Sequence, residues 1–326
     1  MDISYLLLLQ NFRNSINDAL TPFMEFVSHV AVSWLVIFPA FIYWCVDKRA
    51  GLFTIGGLEC SRIVNAAVKL TACVYRPWIR DPRVMPAGNA IVEATGYSFP
   101  SGHTTMGTAL YGGMAAGFWQ NKKTRFISIF CAIMILLTGF SRNYLGVHTP
   151  QDVLTGLCLT LLVLFGTAKI FSYCEKHPEK ENWFLLGGIL LAIAVLIYIN
   201  VKPYPMDYRD GKLIVDPAKM LKDGFGDSGV LAAFCIARFI EKKWIRFEAI
   251  GLNFKSAESG VNVKGIIVSL VGVVILYFMS EYFKIPCRKL FGVNWGCLIS
   301  RGIEVLYMVA LWPLVIKLVT KRKEER

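Results

Sequence analysis

The sequence predicts an all-α fold, a polytopic transmembrane helix bundle with a six-helix core and about three extra C-terminal helices. Three observations lead there. Hydrophobic residues make up 55% of the chain and charged residues only 18%, below the roughly 25% usual in soluble domains. Apolar runs close to the roughly 20 residues needed to cross a bilayer recur along the whole length. The net charge is +12, which in such a chain belongs to cytoplasmic loops and anionic headgroups, so no nucleic-acid partner is expected.

Met1 to Gln10 has a short apolar core, no basic leader and no small-residue cleavage site. It is therefore expected to be an interfacial helix or a loose lead-in rather than a removable signal. Spans follow at about 28–46, 51–75, 103–120, 125–141, 151–173, 183–200, 228–246, 264–283 and 298–319, nine in all. The seventh is the weakest, because Arg238, Glu241, Lys242 and Lys243 close its apolar run, and snorkelling at the interface would keep it in place. Residues 1–200 are expected to be the catalytic membrane core. Residues 201–326 add a long loop, Val201 to Asp227, and the remaining helices.

Orientation follows from the basic loops. Lys48 and Arg49, then Lys122, Lys123 and Arg125, then Lys242, Lys243 and Arg246, and finally Lys321, Arg322 and Lys323 all fall on one side of a nine-span bundle. That side should be cytoplasmic. The chain would then sit in the plasma membrane with its N-terminus outside and its C-terminus inside. The nine cysteines show no ligand spacing and read as packing residues. Cys287 and Cys297 share a membrane face, where free thiols are favoured over a disulfide.

Three segments, all on the extracytoplasmic face, carry polar chemistry. Lys69 and Arg76 are seven residues apart, two helical turns, and are expected to point the same way before Pro77 stops the helix. Ionisable groups at such depth are costly and need a reason, which a bound anion supplies as well as interfacial anchoring does. Ser101 should cap the third span, with Gly102 allowing close approach of a ligand to the backbone N–H groups. A helix N-terminus of this kind seats a phosphate oxygen, and His103 just inside it is a candidate proton donor. Ser141 and Arg142 close the fourth span. Thr149, Pro150 and Asp152 spell a capping-box start for the fifth. His148 and Asp152 lie four apart, so the carboxylate can fix the imidazole tautomer, while Arg142 offers a fork to phosphate oxygens. A metal on His103, His148 and Asp152 is disfavoured by the neighbouring cations, so neither metal nor cofactor is expected. His29 and His177 lack comparable company and read as interfacial residues.

Lys69, six residues, Arg76-Pro77; Pro100-Ser101-Gly102-His103; Ser141-Arg142, five residues, His148, three residues, Asp152: this pattern resembles the type 2 phosphatidic acid phosphatase family over roughly the first two hundred residues. The resemblance implies metal-independent phosphate ester or diphosphate hydrolysis through a phosphohistidine. It implies attack by His148, support from Asp152 and protonation of the leaving group by His103, with Lys69, Arg76, Ser101, Gly102 and Arg142 holding the phosphoryl oxygens. The residues alone leave open which histidine attacks. A membrane lipid phosphate in the bilayer is the expected substrate: phosphatidate, phosphatidylglycerophosphate or undecaprenyl diphosphate. The span count is similar to that of the glucose-6-phosphatase branch, which keeps a soluble sugar phosphate as an alternative. A non-hydrolytic lipid-phosphate carrier is the third reading.

Overall fold

The computed structural model describes residues 2–119, 121–250 and 263–321. Helix α1 (Asp2–Ser15) is the expected N-terminal helix. It is tied to one end of the bundle, where Arg13 Nη2 donates to the Met85 carbonyl at 2.8 Å and Arg80 pairs with Asp2 at 2.9 Å. The first span is broken: α2 (Thr21–Ser33) and α3 (Ile37–Phe41), which runs on through a π-helical turn to Val46, meet at 52°. Helix α4 (Lys48–Ala72) is capped by Asp47, whose Oδ1 accepts from Ala50 N at 2.8 Å, and descends through the whole bundle. Two short helices, α5 (Pro77–Arg80) and α6 (Ala90–Glu93), lie in the loop that follows.

The middle of the chain forms α7 (Gly102–Phe118), α8 (Arg125–Tyr144), α9 (Pro150–Lys176) and α10 (Glu181–Val201). Helix α7 is the inner member, packed against α2, α4, α8 and α9, with Thr108, Ala109 and Leu110 fully buried. Helices α8, α9 and α10 turn apolar side chains outward, among them Phe130 and Leu136 on α8, Leu162 and Phe165 on α9, and Leu190 and Ile197 on α10. A surface of that kind suits lipid rather than water.

Beyond Val201 the expected 27-residue loop is shorter than its composition suggests. A small hairpin of β1 (Tyr208–Arg209) and β2 (Lys212–Leu213) is followed at once by α11 (Pro217–Ile240). Asp216 caps that helix, accepting from Ala218 N at 3.0 Å, and Pro217 takes the first position. Residues up to Asp227 are thus the opening turns of a helix that packs against α4, α10 and α14. The hairpin leans on the loop after α4, through Tyr75 Oη donating to Asp207 Oδ2 at 2.6 Å. The chain ends in α12 (Val263–Phe278), α13 (Lys284–Phe291), α14 (Val293–Leu306) and α15 (Trp312–Lys321). Trp44 Nε1 donates to the Met308 carbonyl at 2.9 Å and joins the first span to the last.

Among the described residues five helices are long and apolar enough to cross a membrane, or six with the bent α2 and α3 pair. The expected nine differ by α4, α7 and α11. Helices α4 and α11 carry Glu59, Arg62 and Asp227 where neighbouring helices cover them, charges that an outer span excludes, and α7 is short at 17 residues. The charged end of α11, expected to snorkel, is held by ion pairs. Glu241 is fully buried against Lys48 at 2.6 Å and Arg238, and Glu181 takes Arg238 at 2.7 Å and Lys242 at 2.9 Å. These pairs, with Arg49 on Glu175, hold two of the basic groups, at Lys48 and Arg49 and at Lys242, by the start of α4, the end away from α5 and α6, while Arg322 and Lys323 lie outside the described residues. Cys287 and Cys297 are buried free thiols. His29 and His177 are exposed, His29 beside Ser33 and His177 tilted against Tyr173.

Candidate active site

The three segments converge at one end of α4. Helix α4 stops at Ala72 because Cys73 turns left-handed, at φ 47°. Lys69 and Arg76 therefore do not share one helix face, and Pro77 opens α5 instead of ending α4. The loop brings the two cations together all the same. Lys69 Nζ donates to the Pro100 carbonyl at 2.5 Å and to Tyr97 O at 3.3 Å. Arg76 is buried and donates to three carbonyls, Thr95, Gly96 and Val147, at 3.0, 3.1 and 3.0 Å.

Ser101 is the N-cap of α7, its Oγ accepting from Thr104 N at 3.4 Å and from Thr104 Oγ1 at 2.9 Å. Thr149 caps α9, and Asp152 reaches back to Thr149 N at 2.7 Å, a complete capping box. The two helix starts are locked to each other, with Ser101 N donating to the Asp152 carbonyl at 2.9 Å. Gly156 makes this approach possible: a Cβ there would stand 3.1 Å from the Ser101 carbonyl. Between α8 and α9, Gly146 adopts φ +73° and lets the chain double back so that His148 faces inward.

His148 is 1% exposed and held from both sides. Arg76 Nη1 donates to its Nε2 at 2.8 Å. A guanidinium has no acceptor, so Nε2 carries the lone pair and Nδ1 the proton. On the Nδ1 side Ser98 Oγ lies at 3.3 Å and Asp152 Oδ2 at 3.5 Å, and Ser98 itself donates to Asp152 Oδ2 at 2.7 Å. The Ser98 hydroxyl thus bridges the imidazole Nδ1 and the Asp152 carboxylate. Burial, and the charges of Arg76, Arg142 and Lys69, hold the His148 pKa well below the ordinary 6.5. Burial, then Arg142, pushes the Arg76 guanidinium down to about 9, still cationic at neutral pH. The site is therefore a neutral imidazole among cations, its Nε2 lone pair facing the Arg76 guanidinium.

A cavity of about 380 Å³ opens over this group. Lys69, Arg76, Gly102, His103 and His148 line it. Ser101, Arg142 and Asp152 are buried and do not line it. Arg142 is fully buried, donates to Ser28 Oγ, and accepts from Val147 N and His148 N through its carbonyl at 3.2 and 3.3 Å. Sequence reasoning missed Ser98, whose role is set by contacts fifty residues away, and Asn143, whose side chain holds the His148 carbonyl at 2.9 Å. It also missed that Arg62, Asp223, Asp227, Arg301 and Glu304 line the same cavity. The signal for those was present, since charges within apolar helices rarely lack a purpose.

The family model described as the PAP2 superfamily matches residues 50–176. Phosphatidylglycerophosphatase B of Bacillus subtilis is 30% identical over 123 residues, 36% of this chain and 60% of that protein, so the chain spans less than two thirds of that relative. Undecaprenyl-diphosphatase BcrC of Bacillus subtilis is 29% identical over 157 residues, 47% of this chain and 74% of that protein. Lipid A 4'-phosphatase of Porphyromonas gingivalis is 25% identical over 168 residues, 45% of this chain and 68% of that protein. No solved structure matches the chain.

Proposed function

We propose that this chain, whose residues 50–176 match the family model of the PAP2 superfamily, is an integral membrane phosphatase that hydrolyses a lipid phosphate or lipid diphosphate through a phosphohistidine, without a metal. The observation that carries the reading is the His148 relay, an imidazole whose Nε2 must accept and whose Nδ1 is backed by Ser98 and Asp152. A site that only bound headgroups would need the cations but no such nucleophile.

In the proposed reaction Nε2 of His148 attacks phosphorus and the bond to the leaving oxygen breaks. His103 gives that oxygen its proton. Water then attacks the phosphohistidine, His103 takes the water's proton, and phosphate and free imidazole result. Lys69, Arg76 and the N–H groups of Gly102 and His103 at the start of α7 stabilise the oxygens, because a cationic helix start in a low-dielectric pocket favours charge that develops in the transition state. Asp152 and Ser98 stabilise the imidazole as it becomes positive.

The lipid class rests on the names of the relatives and on the apolar wall that Val32, Leu35, Val36 and Met106 give the cavity. The basic loops at the far end of the bundle support an extracytoplasmic site, an outside N-terminus and a cytoplasmic C-terminus. Phosphate release from phosphatidate, phosphatidylglycerophosphate and undecaprenyl diphosphate in detergent tests the proposal, and no release from any of them sinks it.

Two finer outcomes are expected. The working form of His148 is neutral and its pKa is depressed from 6.5, so activity persists as pH falls through 6.5 and declines only well below it. An acid limb with its midpoint at or above 6.5 contradicts this. Ser98→Ala removes the relay while leaving Asp152 in its cap, and should lower kcat by about tenfold with KM little changed, the worth of one buried hydrogen bond to a charging group. A variant as active as the parent would remove Ser98 from the mechanism.

A further inference from the structure

We propose that the cavity holds a second, polar subsite on α4, α11 and α14, which takes a hydroxyl-bearing group attached to the phosphate's alcohol. The proposal rests on the phosphatase reading and names what lies beyond the scissile bond.

Arg62, Asn65 and Lys69 stand at i, i+3 and i+7 on α4 and line one cavity. With 1.5 Å of rise per residue, the phosphate seat at Lys69 and the Arg62 end are about 10 Å apart. Around Arg62 the later helices contribute Asp223 and Asp227, four apart on α11, and Arg301 and Glu304, three apart on α14. Arg62 pairs with Asp227 at 3.1 Å and with Glu59 at 3.7 Å. Arg301 pairs with Asp227 at 3.3 Å and Asp223 at 3.5 Å.

The carboxylates exceed the guanidiniums, and one of them is left over. Glu304 is only 8% exposed, lines the cavity, and among the described residues has no hydrogen-bond or ion-pair partner. A buried acceptor without a donor is costly unless something else supplies the donor. An ammonium group has no acceptor for the N–H groups of Arg62 and Arg301, and among the described residues no three His, Cys, Asp or Glu side chains are placed to hold a metal ion. A hydroxyl group suits the array best, since it donates to Glu304 or Asp223 and accepts from Arg301 or Arg62. Asn65 is fixed between the two ends by its bond to Thr105 Oγ1 at 2.9 Å and separates the phosphate seat from the polar one.

The test compares kcat/KM of the full-length protein in detergent for matched phosphates. Glycerol 3-phosphate is set against propyl phosphate among soluble esters, and phosphatidylglycerophosphate against phosphatidate among lipids, so that the two arms separate a soluble polyol from a lipid headgroup. Aminoethyl phosphate probes the ammonium alternative. The hydroxyl-bearing member of at least one pair should be preferred by about tenfold or more, because a site built to bond a hydroxyl rejects the analogue without it. Glu304→Gln should shrink that ratio at least about fivefold, through KM. Asp223→Asn, at a half-exposed carboxylate, should shrink it too if the first variant folds poorly. Equal rates within both pairs, a preference for aminoethyl phosphate, or a ratio unchanged in both variants overturns the subsite. If no ester releases phosphate, the phosphatase reading falls by itself. Thermal stabilisation by glycerol 3-phosphate over propyl phosphate, reduced in Glu304→Gln, then still decides the subsite, and equal stabilisation refutes it.

Discussion

Replacing His148 with alanine abolishes phosphate release, by a factor on the order of 10⁴ or more, while the protein still folds and extracts as the parent does. The size follows from the role: without a nucleophile the remaining cations bind the phosphate but offer no covalent route, and deletion of an attacking group costs more than any supporting contact. Folding is spared because the imidazole is not what satisfies its neighbours. Arg76 keeps its carbonyl acceptors at Thr95, Gly96 and Val147, and the Asp152 carboxylate keeps Thr149 N and Ser98 Oγ. The measurement is phosphate release beside thermal unfolding, with an acid-labile phosphoenzyme sought in the parent. Activity above about one per cent of the parent, with normal unfolding, would transfer the attack to another group, and His103 is the next histidine lining the cavity.

The parts of the site that were legible in the sequence are those set by local chemistry. A cap needs its partner within three residues, so Ser101 before α7 and Thr149, Pro150 and Asp152 before α9 could be read directly, and the structure forms both caps. The convergence of Lys69 and Arg76 was legible as a result but not as a route. Helical spacing suggested it, whereas a left-handed Cys73 and an extended Arg76 produce it. Ser98 and Ser28 were invisible, because nothing near them in sequence distinguishes them from other small polar residues. Their partners, His148 and Arg142, are brought to them only by packing. The stretch before Asp227 misled for a different reason. Its Pro, Asp, Gly and Lys content reads as loop, but Asp216 and Pro217 are start signals, and the glycines let α11 sit close to its neighbours: a Cβ on Gly224 would meet Ile199 at 2.6 Å. Length and composition pick out fewer helices than the nine expected spans because α4 and α11 carry Glu59, Arg62 and Asp227 and α7 has only 17 residues.

Asp152 has two duties, and two substitutions separate them. Its Oδ2 accepts from Thr149 N, closing the capping box of α9, and from Ser98 Oγ, the relay that supports His148. Asparagine retains an acceptor that can close the box, and the helix start should survive with little loss. It carries no negative charge, however, so it cannot stabilise the imidazolium that forms as His148 is phosphorylated, and its amide N–H₂ can present a donor where Nδ1–H requires an acceptor. Asp152→Asn should therefore lose about 10³ to 10⁴ in kcat, the scale seen when a carboxylate behind a reacting histidine is neutralised, with a melting temperature near the parent's. Alanine removes both duties. Asp152→Ala should lose comparable activity and in addition about 1 kcal/mol of stability, the usual worth of a helix-start contact. Kinetics and unfolding of both variants check the division. An asparagine variant within tenfold of the parent would show that the charge of Asp152 is not needed for attack. Equal stability of the two variants would show that the capping box, although formed, does not hold α9 in place, and that the bond between Ser101 N and the Asp152 carbonyl carries that function instead.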